Sequence, residues 1–209
     1  DADIYGPSQP TMLGTNQAPE LDKSNPEHKK LNPIIKYNLK TMSMGYLIEA
    51  DKAMIWRGPM VQSALIQMLD DVDWPELDIL VLDMPPGTGD IQLTTAQRIP
   101  VSGAVVVSTP SLLAQADIRR ARAMFEKTNV PVLGLVENMA FMTAPDGTRM
   151  HPFGNPGNDA LISLPLDAEI HAATESGVPV VIDTPQSAAA LAFGELARKL
   201  IELLEGGKT

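Results

Sequence analysis

The sequence predicts an α/β protein with a doubly wound, mostly parallel sheet and helices on both faces. Three observations carry this. Runs that are apolar throughout recur along the chain, at 78–83 up to their terminal carboxylates, at 104–107 and at 132–136. Segments with apolar residues at helical spacing lie between them. Each run ends in polar residues, namely Asp83, Ser108-Thr109 and Glu137-Asn138. Strands covered on both faces read as continuous apolar runs, and alternation with helices implies parallel pairing. Ligands of such sheets bind beyond the carboxyl ends of the strands, so those polar residues are the first candidates for a site.

In chain order, residues 1–33 read as loop, with Gly6-Pro7, Pro10, Gly14, Pro19, Pro26 and Pro33 around a polar stretch at 15–30. Long irregular segments in a compact domain are functional or mobile. Residues 34–48 read as strand material around Gly45. Pro59 then opens a helix in which Val61, Leu65, Met68 and Leu69 share one face. A second helix is expected over 112–129. A third, over 190–204, carries Leu191, Leu196, Leu200, Ile201 and Leu204 at helical spacing. Its polar face sets Glu195, Glu202 and Glu205 against Arg198 and Lys199. It therefore lacks the basic character of a membrane-surface helix, and packing on the domain is expected. The length of 209 residues suits a single domain with a substantial core.

Composition removes several classes. A net charge of -10 and a pI near 4.7 oppose a nucleic-acid-binding face, which needs clustered Lys and Arg. Arg119, Arg120 and Arg122 read as a solvated helix face. With no cysteine, disulfides, thiolate catalysis and cysteine-held metal clusters are excluded for these residues. No apolar run reaches the roughly 20 residues of a membrane span, and no signal-peptide pattern is found. A soluble, cytoplasmic protein without membrane or nucleic-acid partners is expected.

Chemistry concentrates in two motifs. Leu80-Val81-Leu82-Asp83-Met84-Pro85-Pro86-Gly87-Thr88-Gly89-Asp90 ends an apolar run in a carboxylate. P-loop NTPases present a carboxylate to Mg²⁺ in this way, directly or through water. The Gly87-Thr88-Gly89 turn brings backbone N–H groups close to a terminal phosphate, because glycine permits close approach. The other motif is Asp1-Ala2-Asp3-Ile4-Tyr5-Gly6-Pro7-Ser8. Its two carboxylates, one residue apart at a strand end, point to one side. One is suited to the metal shell and the other to orienting water. Each motif also has a structural reading, as a turn in one case and a solvated segment in the other.

Together with Met42-Ser43-Met44-Gly45, Trp56-Arg57-Gly58-Pro59-Met60, Gln97-Arg98-Ile99-Pro100 and Val136-Glu137-Asn138-Met139, these motifs resemble, in order, the Mrp/ApbC branch of the deviant-Walker P-loop ATPases, relatives of MinD and ParA. The similarity covers nearly the whole chain. It implies that Asp3 orients the attacking water, that Asp1 lies beside the magnesium, and that Asp83 is the Walker B aspartate. It also implies that Gly87 sits in the following switch, that Asn138 contacts the adenine base, and that Pro165-Leu166-Asp167 flanks that base. Asn138 could otherwise cap a turn after its strand. The implied protein binds ATP and Mg²⁺, hydrolyses ATP, works as a nucleotide-switched homodimer, and serves iron–sulfur assembly or apo-client proteins.

The sequence departs from that family in three places. The glycine-rich Lys-Gly-Gly-Val-Gly-Lys-Ser loop expected upstream of Asp-x-Asp is absent, so an N-terminal strand and phosphate loop are taken to precede these residues. Only residues 155–163 separate Gly154 from Leu164-Pro165-Leu166-Asp167, too few for a crossover helix. Either a stretch is missing there or the crossover is deleted, and the former is expected. Where many members carry Cys-x-x-Cys, this chain reads from Met139 through Met142 and Met150 to His151. Thioethers and one imidazole are poor substitutes for thiolates, so a bound cluster is doubtful and His151 is expected to be a hydrogen-bonding loop residue. Two other classes remain: a MinD/ParA-like positioning switch, or a nucleotide-free interaction module if the chain starts at Asp1.

Overall fold

The computed structural model describes residues 1–22, 30–47 and 58–206, apart from the side chains of residues 58, 90 and 91. They form two compact units, Asp1–Thr94 with Glu175–Gly177, and Thr95–Thr174 with Val178–Thr209.

In the first unit the loop-like start contains one short helix, α1 (Gln9–Met12), led by Pro10 in its first turn. The stretch expected as strand from 34 onward is a tight hairpin. β1 (Ile34–Lys36) pairs antiparallel with β2 (Leu39–Thr41). Tyr37 and Asn38 between them both take positive φ, 49° and 61°. Two such residues make the turn whose twist matches paired strands, and Asn tolerates that region better than most. The chain then tightens into a 3-10 turn over Met44–Tyr46, with Ser43 accepting the Gly45 N–H. Ile48 and the Trp56-Arg57 pair lie outside the described residues.

α2 (Gly58–Asp70) follows as expected and buries Val61, Leu65 and Met68. They join Ala2, Ile4, Ile34 and Val72 in the core of this unit. Val61 and Val72 are 1% and 2% exposed.

The expected strand at 78–83 does not form. The segment has no ladder, and Ile79, Leu80 and Val81 stand 51%, 44% and 80% exposed. A strand exists only through its ladder partners, and this β-prone segment has none among the described residues. Ala2 N–H does donate to the Asp83 carbonyl at 2.8 Å, which ties down its end. α3 (Asp90–Arg98) starts directly after the glycine turn, a helix the sequence reading did not foresee.

The second unit holds the sheet. β3 (Ala104–Ser108) and β6 (Ala160–Pro165) flank β4 (Val132–Thr143), and both pair with it in parallel. β5 (Arg149–Met150) pairs antiparallel with the far end of β4. β4 therefore runs well past the expected 132–136. α4 (Leu112–Lys127) is capped by the Ser111 hydroxyl, which accepts the Ala114 N–H, and the chain leaves it through Asn129 at φ 54°. Arg119, Arg120 and Arg122 are exposed on it, as expected, with Arg120 on Asp117 at 2.8 Å. The connection from β4 to β6 contains β5 and turns but no helix. Counted from Thr143, it leaves room for a parallel return. α5 (Ala168–Ser176) and α6 (Val180–Asp183) precede α7 (Ala188–Gly206). α7 packs against β6, and Lys199 donates to the Leu161 carbonyl at 2.9 Å. Among the described residues no helix is long and apolar enough to cross a membrane.

Buried polar groups of the first unit are matched to one another. Thr15 donates its hydroxyl to the Tyr46 hydroxyl at 3.0 Å, and Thr41 meets the same oxygen at 3.0 Å. Tyr46→Phe removes the shared partner while keeping the ring. It is expected to lower the stability of the protein by about 1–3 kcal/mol, measured by urea unfolding. A change within error would mean that water replaces the hydroxyl.

Candidate functional site

Four of the seven expected site residues lie in the first unit. Asp1 and Asp3 do not project freely from a strand end; the loop that follows folds back onto them. Asp1 Oδ1 accepts the Asp3 N–H at 3.2 Å, and Oδ2 accepts the Gln9 N–H at 3.2 Å. Asp3 Oδ1 accepts the N–H groups of Tyr5 and Gly6 at 3.1 and 3.2 Å. Carboxylates fastened by backbone donors hold one rotamer, as positioning a cation or a water requires.

Ser43, with no exposed surface, donates to Asp1 Oδ2 at 3.0 Å. The Asp1 nitrogen in turn donates to the Met42 carbonyl at 2.8 Å. This explains the Met-Ser-Met-Gly string. A Cβ on Gly45 would lie 2.8 Å from Pro10 Cγ and 3.2 Å from Pro7 Cβ, so only glycine lets the Gly-Pro-Ser loop close over it.

Asp83 is exposed at the end of its segment, and Gln9 Nε2 donates to its Oδ2 at 2.8 Å. Gln9 thus holds Asp1 through its backbone and Asp83 through its side chain. Sequence reasoning missed Gln9, because no motif marks a loop glutamine whose two partners are 8 and 74 residues away.

Gly87 adopts φ 99°, a region that side chains rarely enter. The turn around it is held from inside by Gln92, which is 7% exposed and donates Nε2 to the carbonyls of Pro85 and Pro86 at 3.1 and 3.0 Å. Gln92 is the second residue the sequence did not single out. Its signal was there in retrospect: a polar residue on the first turn of a helix that follows a proline-glycine bend. A separate cavity of about 500 Å³ lies among Met42, Met44, Met60 and Met68; it is methionine-lined and apolar.

The other three residues lie in the second unit, at the carboxyl ends of β4 and β6. Asn138 is half-buried, and its Oδ1 accepts the N–H of Met139, which sits at φ 54°. The β4–β6 register shifts between Glu137 and Phe141, so Asn138 leaves the ladder at a bulge. Pro165 is buried opposite Phe141, whose carbonyl accepts the Leu166 N–H at 2.7 Å. Asp167 accepts the Glu169 N–H at 2.9 Å and so caps α5. The bulge and the turn after Pro165 follow adjacent parallel strands. His151, as expected, makes a hydrogen bond, with Nδ1 at 2.9 Å from the Ala140 carbonyl. Arg149 stacks over the Phe141 ring at 4.2 Å. Among the described residues no group of three or more His, Cys, Asp or Glu is placed to hold a metal ion.

Residues 1–201 match the model of the ParA family described as NUBPL iron-transfer P-loop NTPase. The chain is 47% identical over 211 residues to the iron-sulfur cluster carrier protein of Escherichia coli (strain K12), covering 96% of this chain and 56% of that one. It is 43% identical over 216 residues to the iron-sulfur protein required for NADH dehydrogenase, mitochondrial, of Arabidopsis thaliana, covering 98% and 67%. It thus spans 56% to 67% of the length of these relatives. Among solved structures it resembles the nucleotide-binding protein of Archaeoglobus fulgidus in complex with ADP. The TM-score there is 0.72 at 30% identity, over 92% of this chain and 76% of the other. The doubly wound fold, the order of the motifs and these matches agree: the chain belongs to the ParA/NUBPL family of iron-transfer P-loop NTPases.

Proposed function

We propose that this chain is the ATP-hydrolysing switch of an iron–sulfur cluster carrier, acting as a homodimer with ATP at the interface between copies. The observation that carries this is the joining of Asp1, Asp3 and Asp83 through one loop, with Gln9 and Ser43 fixing the carboxylates of Asp1 and Asp83 and the Tyr5 and Gly6 N–H groups fixing that of Asp3. Family membership and the ADP-bound likeness support the nucleotide. We read the two units as parts of one nucleotide-binding domain, since the family match runs through both.

In this reading Asp83 holds Mg²⁺, directly or through water, with Asp1 beside it. The donor set fits a hard cation, since it consists of carboxylate oxygens. Bound Mg²⁺ supplies charge neutralisation to the phosphates. Asp3 accepts a hydrogen bond from the attacking water and sets its direction. The Gly87 turn offers backbone N–H groups to the terminal phosphate and relaxes when that phosphate leaves, which changes the shape of the dimer. Asn138 contacts the adenine, and Pro165 and Asp167 border it. These 209 residues contain no Lys-Gly-Gly-Val-Gly-Lys-Ser loop, so the nest that cradles the other phosphates is not theirs to supply.

The cluster is cargo in this scheme, destined for apo-client proteins. The residues present do not fit it as a ligand set. Where thiolates would be needed, Met142 opposes Met150 across β4 and β5, and His151 is engaged by a carbonyl. No step is assigned to a cluster on this chain.

Three measurements test the reading. Asp83→Asn in the full-length protein is expected to lower ATP turnover by roughly 10²-fold or more, since metal support for the transition state is lost. Unchanged turnover in a folded variant would remove Asp83 from the site. Asp3→Ala is expected to keep ATP affinity while turnover falls by roughly 10²-fold. A loss of affinity in proportion to the rate would make Asp3 a ligand-binding or structural group instead. Anaerobic reconstitution of the 209 residues is expected to give no stoichiometric [4Fe–4S] cluster by iron analysis and visible absorption. An oxygen-sensitive cluster at stoichiometry would overturn the ligand argument.

A further inference from the structure

Glu137 is a carboxylate inside β4 with 4% exposure, and nothing in the scheme above uses it. Its oxygens are satisfied by neutral donors. Oε1 accepts the Gly157 N–H at 2.7 Å, and Oε2 accepts the Ser163 hydroxyl at 3.0 Å. A Cβ on Gly157 would lie 3.3 Å from Oε1, so glycine gives the turn its close approach. Glu137 is also the last residue of β4 paired on both sides before the bulge, with Ser108 of β3 and Ser163 of β6.

The bulge begins at the next residue. Asn138 Oδ1 is engaged by the Met139 N–H, so the amide has Nδ2, a donor, to offer a ligand. Where the amide faces N1 of the base, adenine presents an acceptor and guanine a hydrogen, so in that pose an amide held in this sense favours adenine. If the strand end slips or twists, the amide can turn over and present its oxygen, and the preference goes.

We propose that Glu137 is the positioning residue for base selection. It fastens the turn at Gly157 and strand β6 to β4 at the rung before the bulge, so that Asn138 meets the base in one orientation. The inference rests on the reading of Asn138 as the base contact.

The test compares Mg·ATP and Mg·GTP affinities of the full-length protein by titration calorimetry, with melting temperature measured alongside. The unsubstituted protein is expected to prefer ATP, and Asn138→Ala to lower that preference about tenfold, the worth of one hydrogen bond. Glu137→Ala is expected to lose the preference to the same degree, with no further loss in the double variant, because both act through one amide. Glu137→Gln is expected to keep most of it. Its amide oxygen can still accept from Gly157 and its NH₂ can donate to the Ser163 hydroxyl, which accepts as well as donates. Ser163→Ala, which removes one fastening, should fall between, and serves as the deciding variant if Glu137→Ala does not fold.

If Asn138→Ala lowers the preference and Glu137→Ala and Ser163→Ala do not, Glu137 is only a structural clamp and the inference is overturned. A lower melting temperature with an unchanged ratio is that outcome. If Asn138→Ala leaves the ratio unchanged, the base-contact reading itself fails and takes the inference with it.

Discussion

Two short hydrogen bonds at the start of the chain hold the carboxylate cluster together. Ala2 donates its N–H to the Asp83 carbonyl, and the Asp1 nitrogen donates to the Met42 carbonyl. Residues 1 and 2 are thereby laid between two stretches 41 positions apart in sequence, and the side chains on either side follow. Ala2 and Ile4 turn into the core of that unit beside Met42 and Val61. The intervening Asp1 and Asp3 are left half-buried, where the loop over residues 5–9 caps them. The alternation of an extended segment thus sorts anchor from chemistry: small and branched apolar residues fix the height, and carboxylates take the other side.

In the second unit the constraint is the central strand. β4 is paired on both sides up to Glu137, and beyond that it bends away through Met139 at a φ that a methionine takes only under restraint. A strand held between two neighbours up to Glu137 and bulged just beyond it is a means of aiming one side chain from a rigid base. Rigidity and aim come from the same residues.

Much of this was legible in the sequence, for identifiable reasons. β3, α2, α4 and α7 announce themselves through apolar runs, Pro59 and helical spacing, which are local signals. The resemblance of six ordered motifs pointed to the family that the comparisons establish. The hairpin over 34–41 was hidden because Tyr37-Asn38 is not a strong turn pair by composition, and only the positive φ of both residues makes it one. The apolar run at 79–82 was read as strand because apolarity signals burial, yet pairing depends on a neighbour that no local pattern encodes. Gln9, Gln92 and the clamping role of Glu137 were out of reach for a related reason. Each is an ordinary polar residue whose meaning lies in carbonyls and N–H groups brought to it by the fold.

The unpaired apolar run has a colloidal consequence. Ile79, Leu80 and Val81 are exposed and have no ladder partner among the described residues, the combination that templates edge-to-edge association. What opposes it is long-range repulsion between molecules of net charge -10. That repulsion vanishes as the medium nears pH 4.7, and salt at molar strength shortens its reach to about 3 Å. Acidity and screening therefore bear on the association of this run as directly as packing does.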